Sequence, residues 1–120
     1  MNTRTKIVPI EEAERIAACG ATVVSGHFDP LLASHAERLQ GLKREGAPLL
    51  VLITDPSNPI LPGNARAELV AGLAVVDHVV YQRVYQQGES ITPEVRLDRE
   101  HETCLEELIE RVHARQRAAS

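Results

Sequence analysis

The sequence contains no Trp, one Phe and two Tyr among 120 residues. Phe28, Tyr81 and Tyr85 are too few to build the stacking platforms that hold single-stranded nucleic acid. A strong charge of one sign is also missing. The net charge of −4 argues against nucleic acid or an anionic membrane surface as a partner. No stretch approaches the roughly 20 apolar residues of a membrane span. The opening residues MNTRTKIVPIEEAE lack the apolar core of a secretory signal and turn acidic at once, so a cytoplasmic protein is expected. Cysteine is scarce as well. Cys19 and Cys104 form neither a metal-type nor a redox pair by spacing, and buried reduced thiols are the expectation.

The remaining residues alternate between two periodicities. Glu11–Cys19 reads as a helix with Ile10, Ala13, Ile16 and Ala17 on one face and Gly20 as its left-handed stop. Ala21–Ser25 is a short apolar strand, Ser34–Glu45 a second helix with Leu39 and Leu42 inward, and Leu49–Ile53 an unbroken apolar run. Runs of that kind lie buried on both faces of a parallel sheet. The proline-rich stretch from Pro56 leads to Asn64, expected to cap a third helix reaching about Leu73. A third strand is expected over Val75–Tyr81. Glu94–Asp98 is open to reading as strand or loop. Cys104, Leu105, Leu108, Ile109 and Val112 share one face of a final helix. The length suits a single domain spanning 1–120, and the strand–helix alternation requires a parallel sheet with right-handed crossovers.

The most informative stretch is Gly26–Leu39, GHFDPLLASHAERL, where a strand passes through a short loop into a helix. Such an entry aims free amide N–H groups and the positive end of a helix dipole at the C-terminal edge of the sheet, where anions bind. Gly26, Phe28, Asp29 and His35 stand in the register of the pattern G-x-F-D-x-x-H-x-G-H. Leu32 replaces its first histidine and Ser34 its glycine. In this the chain resembles the cytidylyltransferase-like nucleotidyltransferases, including the adenylyltransferase domain of bacterial heptose-phosphate enzymes and the glycerol-phosphate cytidylyltransferases. The resemblance runs from about Lys6 to Val80. Asp55 and Ser57 match a D-x-S segment, and Leu61-Pro62-Gly63 stands at an L-K-G position. Arg66-Ala67-Glu68-Leu69 and Val76-Asp77-His78-Val79-Val80 match R-x-E-x-L and V-D-x-V-V. A Ser/Thr-rich turn of the family has its counterpart in Glu102-Thr103-Cys104-Leu105.

That resemblance implies a three-layer, Rossmann-like open parallel sheet and transfer of a nucleotidyl group from ATP or CTP, with Mg²⁺, to a small phosphorylated acceptor. It implies catalytic roles for His35 and Arg66, ligand contacts from Gly26, His27, Phe28, Asp29, Ser34, Asp55 and Thr103, and a homodimer. His27-x-Asp29 with His35, three ligands from one short loop, lacks a recognised metal geometry, so no protein-bound metal is expected. The altered positions Leu32, Ser34, Pro62 and Glu102 imply impaired transfer, or a catalytically inactive pseudoenzyme that binds a ligand or another protein. Losing one transition-state donor costs about 10²–10³ in rate.

Each residue also has a plainer reading. His35 reads equally as a half-exposed helix histidine and His27 as an exposed loop residue. Ser34 with Glu37 reads as a capping box, S-x-x-E, satisfying the amides of its own helix. Arg66 reads as a surface partner of Glu68. Asp77 reads as a strand-start residue with a local backbone bond.

Overall fold

The computed structural model describes residues 3–56, 58–81, 91–98 and 101. A single 3₁₀ turn, Thr3–Lys6, precedes helix α1, Ile10–Ala18. The order continues as β1 (Thr22–Gly26), α2 (Ala33–Leu42), β2 (Leu49–Ile53), α3 (Gly63–Ala71), β3 (His78–Tyr81) and β4 (Val95–Arg96). The expected tail helix, with Cys104, lies outside the described residues.

The four strands form one parallel sheet in the order β3-β2-β1-β4. β1 and β2 are buried along their whole length, as the continuous apolar run of β2 requires. Successive side chains of a strand leave on opposite faces, and the two cores follow that period. Val24, Val51, Ile53 and Val79 pack with Leu39 of α2 and with Ala67, Val70 and Ala71 of α3. Val23, Leu50, Leu52 and Val80 pack with Ala13 of α1, flanked by Ile10, Ile16 and Ala17. Helices therefore cover both faces, and the architecture is the three-layer α/β sheet expected. Ile7 bridges to Val79 and the Val8 amide donates to the Val79 carbonyl, so a short N-terminal segment runs beside β3.

The chain steps outward from β1 through β2 to β3, then returns to the far side of β1 as β4. That reversal of strand order puts the topological switch point of the sheet beside β1, between the C-terminal ends of β1 and β4. Glu94–Asp98, open between strand and loop by sequence, thus supplies the strand that creates this switch point.

Several local expectations are corrected. α3 begins at Gly63 with Pro62 at its N-cap, so Asn64 lies inside the helix and is not its cap. Proline fixes the helical entry angle at that boundary and has no N–H to leave unsatisfied. β3 starts at His78, because Leu73–Val76 form turn hydrogen bonds while Val76 is already buried in the core. Asp77 bonds across the sheet and not locally: its Oδ2 accepts the Leu49 amide at 2.7 Å and the Lys43 ammonium at 2.5 Å. Burial opposes ionisation of Asp77, but these two donors and the charges of Lys43 and His78 hold its carboxyl below the ordinary value. Cys19 is exposed because it follows the last turn of α1, beyond the buried face.

Candidate functional site

The loop leaving β1 is built from inside. His27, Phe28 and Asp29 are all buried, and Phe28 adopts a positive φ of 49°. That conformation is uncommon outside glycine and is held here by the fully buried ring. The amides of His27 and Phe28 both point at one atom, Nδ1 of His101, at 3.0 and 3.2 Å. Gly26 makes this approach possible. A Cβ there would lie 2.5 Å from His101 Cε1 and 2.7 Å from the Phe28 ring.

Two imidazoles meet around Phe28. The His101 ring centroid is 4.4 Å from that of Phe28 and 4.1 Å from that of His35, while His35 meets Phe28 edge-on at 5.8 Å. His101 Nδ1 accepts two N–H bonds, so its proton sits on Nε2. His35 Nδ1 accepts the Leu32 amide at 3.1 Å, which assigns the same tautomer. His27 has the opposite one. Thr54 Oγ1 donates its single proton to Asp98 at 2.9 Å, so His27 Nδ1–H must be the donor to Thr54 Oγ1 at 2.9 Å and to the Thr54 carbonyl at 3.2 Å. Ser25 Oγ donates to the other oxygen of Asp98 at 2.7 Å. Burial, followed by the neighbouring His35 and His27, pushes the His101 pKa down to about 3, with Asp98 pulling the other way. His101 is therefore neutral at any ordinary pH.

The sequence expectations divide at this point. His27 and His35 are buried, not exposed or half-exposed: the His27 ring is bonded to Thr54, and the His35 ring packs against Phe28 and His101. The capping box of Ser34 and Glu37 does not form. Leu32 is the N-cap of α2, Ser34 lies in the first turn with its side chain exposed, and His35 returns to the N-cap amide in place of a glutamate. Asp29 uses both carboxylate oxygens on the next loop, accepting the Ile60 amide at 2.6 Å and the Leu61 amide at 2.8 Å. It thereby fixes the backbone leading to Pro62. Thr103, Glu102 and Ser57 lie outside the described residues.

Arg66 is no surface partner of Glu68. Its side chain is fully buried and ties three loops together. Nε donates to the Leu61 carbonyl at 3.1 Å, and Nη1 to the carbonyls of His27 at 3.0 Å and Thr54 at 2.7 Å. Nη2 donates to Asp55 Oδ1 at 2.5 Å, completing a salt bridge. Asp55 also accepts the Tyr81 hydroxyl, and the Tyr81 ring lies against Gly63, where a Cβ would come within 1.9 Å of it. Asp55, Arg66, Tyr81, Pro62, Gly63 and Asn64 line an open cleft of about 490 Å³.

Sequence reasoning missed Ser25, Thr54, Asp98 and His101. Asp98 carried one usable signal, an acidic residue just past a short strand, where parallel sheets place functional side chains. His101 carried none.

The fit to Mg²⁺ follows from the carboxylates. Asp29, Asp55 and Asp98 are each engaged by donors of the protein, and among the described residues no group of three or more His, Cys, Asp or Glu side chains is placed to hold a metal ion. No helix among the described residues is long and apolar enough to cross a membrane.

Fold and site together define an α/β open-sheet protein with a cluster of buried histidines at its switch point. No protein-family model and no curated protein matches this chain.

Proposed function

We propose that this chain is a nucleotidyltransferase-like domain that takes a nucleotide or small phosphorylated molecule at the C-terminal edge of β1, with impaired nucleotidyl transfer. The observation that carries this reading is the convergence of His27, His35, His101 and two consecutive loop amides at the switch point, where open parallel sheets receive ligands. ATP or CTP is the proposed nucleotide, and Mg²⁺ would arrive on its phosphates. Leu32 and Pro62 stand where the resembled family carries a histidine and a lysine, and each lost donor removes transition-state stabilisation.

A second reading is a pseudoenzyme kept for binding. The saturation of Arg66 favours it, since that guanidinium directs its bonds to three carbonyls and a carboxylate of the chain. A homodimer and a cytoplasmic location belong to the same proposal; among the described residues, Leu69 on α3 and Ile60 are large apolar side chains left exposed.

Pyrophosphate release from ATP or CTP with Mg²⁺ and a panel of sugar and polyol phosphates separates the readings. Slow release, raised by Leu32→His with Pro62→Lys, supports the impaired enzyme. Nucleotide binding without release in either protein supports the pseudoenzyme. Absence of both binding and release refutes both.

A further inference from the structure

The amides of His27 and Phe28 are successive N–H groups aimed at a single point. In a backbone turning through a positive φ, such a pair forms a concavity for an anionic oxygen. Here the point of convergence is filled by a side chain from more than seventy residues away. We propose that these two amides are an oxyanion site for a phosphate oxygen, and that His101 occupies it as an intramolecular stand-in that the ligand must displace. This rests on the reading that the β1 edge takes a phosphorylated ligand, and adds how that edge is controlled.

Two further observations support it. Seating the imidazole requires a glycine at position 26, because a Cβ would collide with His101 Cε1 and Nδ1. The occupant is an uncharged acceptor, whereas N–H bonds to an ionised oxygen are about twice as strong as neutral ones. The neighbours pull in opposite directions: His35 packs against His101 with ring centroids 4.1 Å apart, in the tautomer with Nε2–H, while the Asp98 carboxylate, held by Ser25 and Thr54, acts on His101 and opposes an anion there. Removing the His101 ring would leave the two convergent amides without their acceptor.

The test is a titration of the ¹⁵N-labelled full chain with inorganic phosphate at constant ionic strength, followed at the amides of His27 and Phe28. His101→Ala is expected to bind phosphate about tenfold or more tightly than the unmodified chain, with the largest shifts at those two amides. His101→Asn returns an oxygen acceptor to the site and is expected to bind as weakly as the unmodified chain. Equal affinity in His101→Ala and the unmodified chain, or shifts centred elsewhere, overturns the proposal. The unmodified chain gives an answer that requires no variant to fold. Rising phosphate must shift the His101 Nδ1 resonance and the two amides together, and independent or absent shifts refute the displacement. ATP binding that is the same with and without His101 would leave the proposed function standing and remove this inference. Tighter phosphate binding in His101→Ala without any ATP binding would do the reverse.

Discussion

The two halves of the C-terminal edge are built on opposite principles. On the β1 side, rings fill the space: Phe28, His35 and His101 pack against each other, and each tautomer deduced there is set by a bond within the protein. On the β2 and β3 side there is room, a cleft of about 490 Å³, but its guanidinium is neutralised by Asp55 and tied to backbone carbonyls. The first half has convergent donors without space. The second has space, and its charges cancel one another. Both halves turn on a glycine that an aromatic ring covers, Gly26 under His101 and Phe28, and Gly63 under Tyr81. The comparison teaches that residues singled out by a sequence pattern can act as scaffold: Asp29 and Arg66 hold loops together through bonds within the chain.

The largest expected effect breaks the charged half. Arg66→Ala strips the partner from three carbonyls and from the exposed Asp55, and each carbonyl left without its donor costs about 1–3 kcal/mol, so a loss of several kcal/mol is expected. Urea unfolding should show that loss, and Arg66→Lys should recover little of it because one ammonium cannot replace the planar fork. A cost within the surface range of about 0.5 kcal/mol would mean that Arg66 is no clamp.

The next effect reads the imidazole half through pH. His101 sits near 3 in the folded chain against an ordinary 6.5, with burial, His35 and His27 lowering it and Asp98 opposing. Between those values the unfolded chain takes up a proton that the folded chain refuses. Stability is therefore complete above pH 6.5 and falls as the pH drops toward 3, by up to about 1.4 kcal/mol per pH unit. His101→Asn should flatten that acid limb, measured as urea midpoints from pH 7 down to pH 4. An unchanged limb would place the titration elsewhere.

The smallest of these effects sharpens the parallel between the glycines. Gly63→Ala should destabilise by about 1–3 kcal/mol through collision with Tyr81. Most of that cost should vanish in a Tyr81→Ala background, as a double-mutant cycle by thermal unfolding would report. An additive cycle would show that the ring is not the obstacle.

How much was legible in the sequence follows the range of the interactions. β2 was readable because five consecutive apolar residues need two buried faces, and α1 because its face repeats at helical spacing and ends at a left-handed Gly20. The start of α2 was misread because Ser34 and Glu37 form a good local pattern, yet the imidazole of His35 reaches the Leu32 amide first. Burial of His27 was invisible, since its partners Thr54 and His101 lie 27 and 74 residues away. Arg66 was readable as important and unreadable as internal. Its carbonyl partners come from loops that meet only after the sheet has formed.

One measurement tests the central claim, that the ligand edge lies on β1 and is weakened by the chain's own side chains and by its lost donors. It is an amide-shift titration with ATP and with CTP, each with and without Mg²⁺. The account predicts binding weaker than micromolar, with shifts concentrated at His27, Phe28 and the first turn of α2. Submicromolar affinity, or shifts centred on the opposite groove of Glu12, Cys19 and His78, would contradict it.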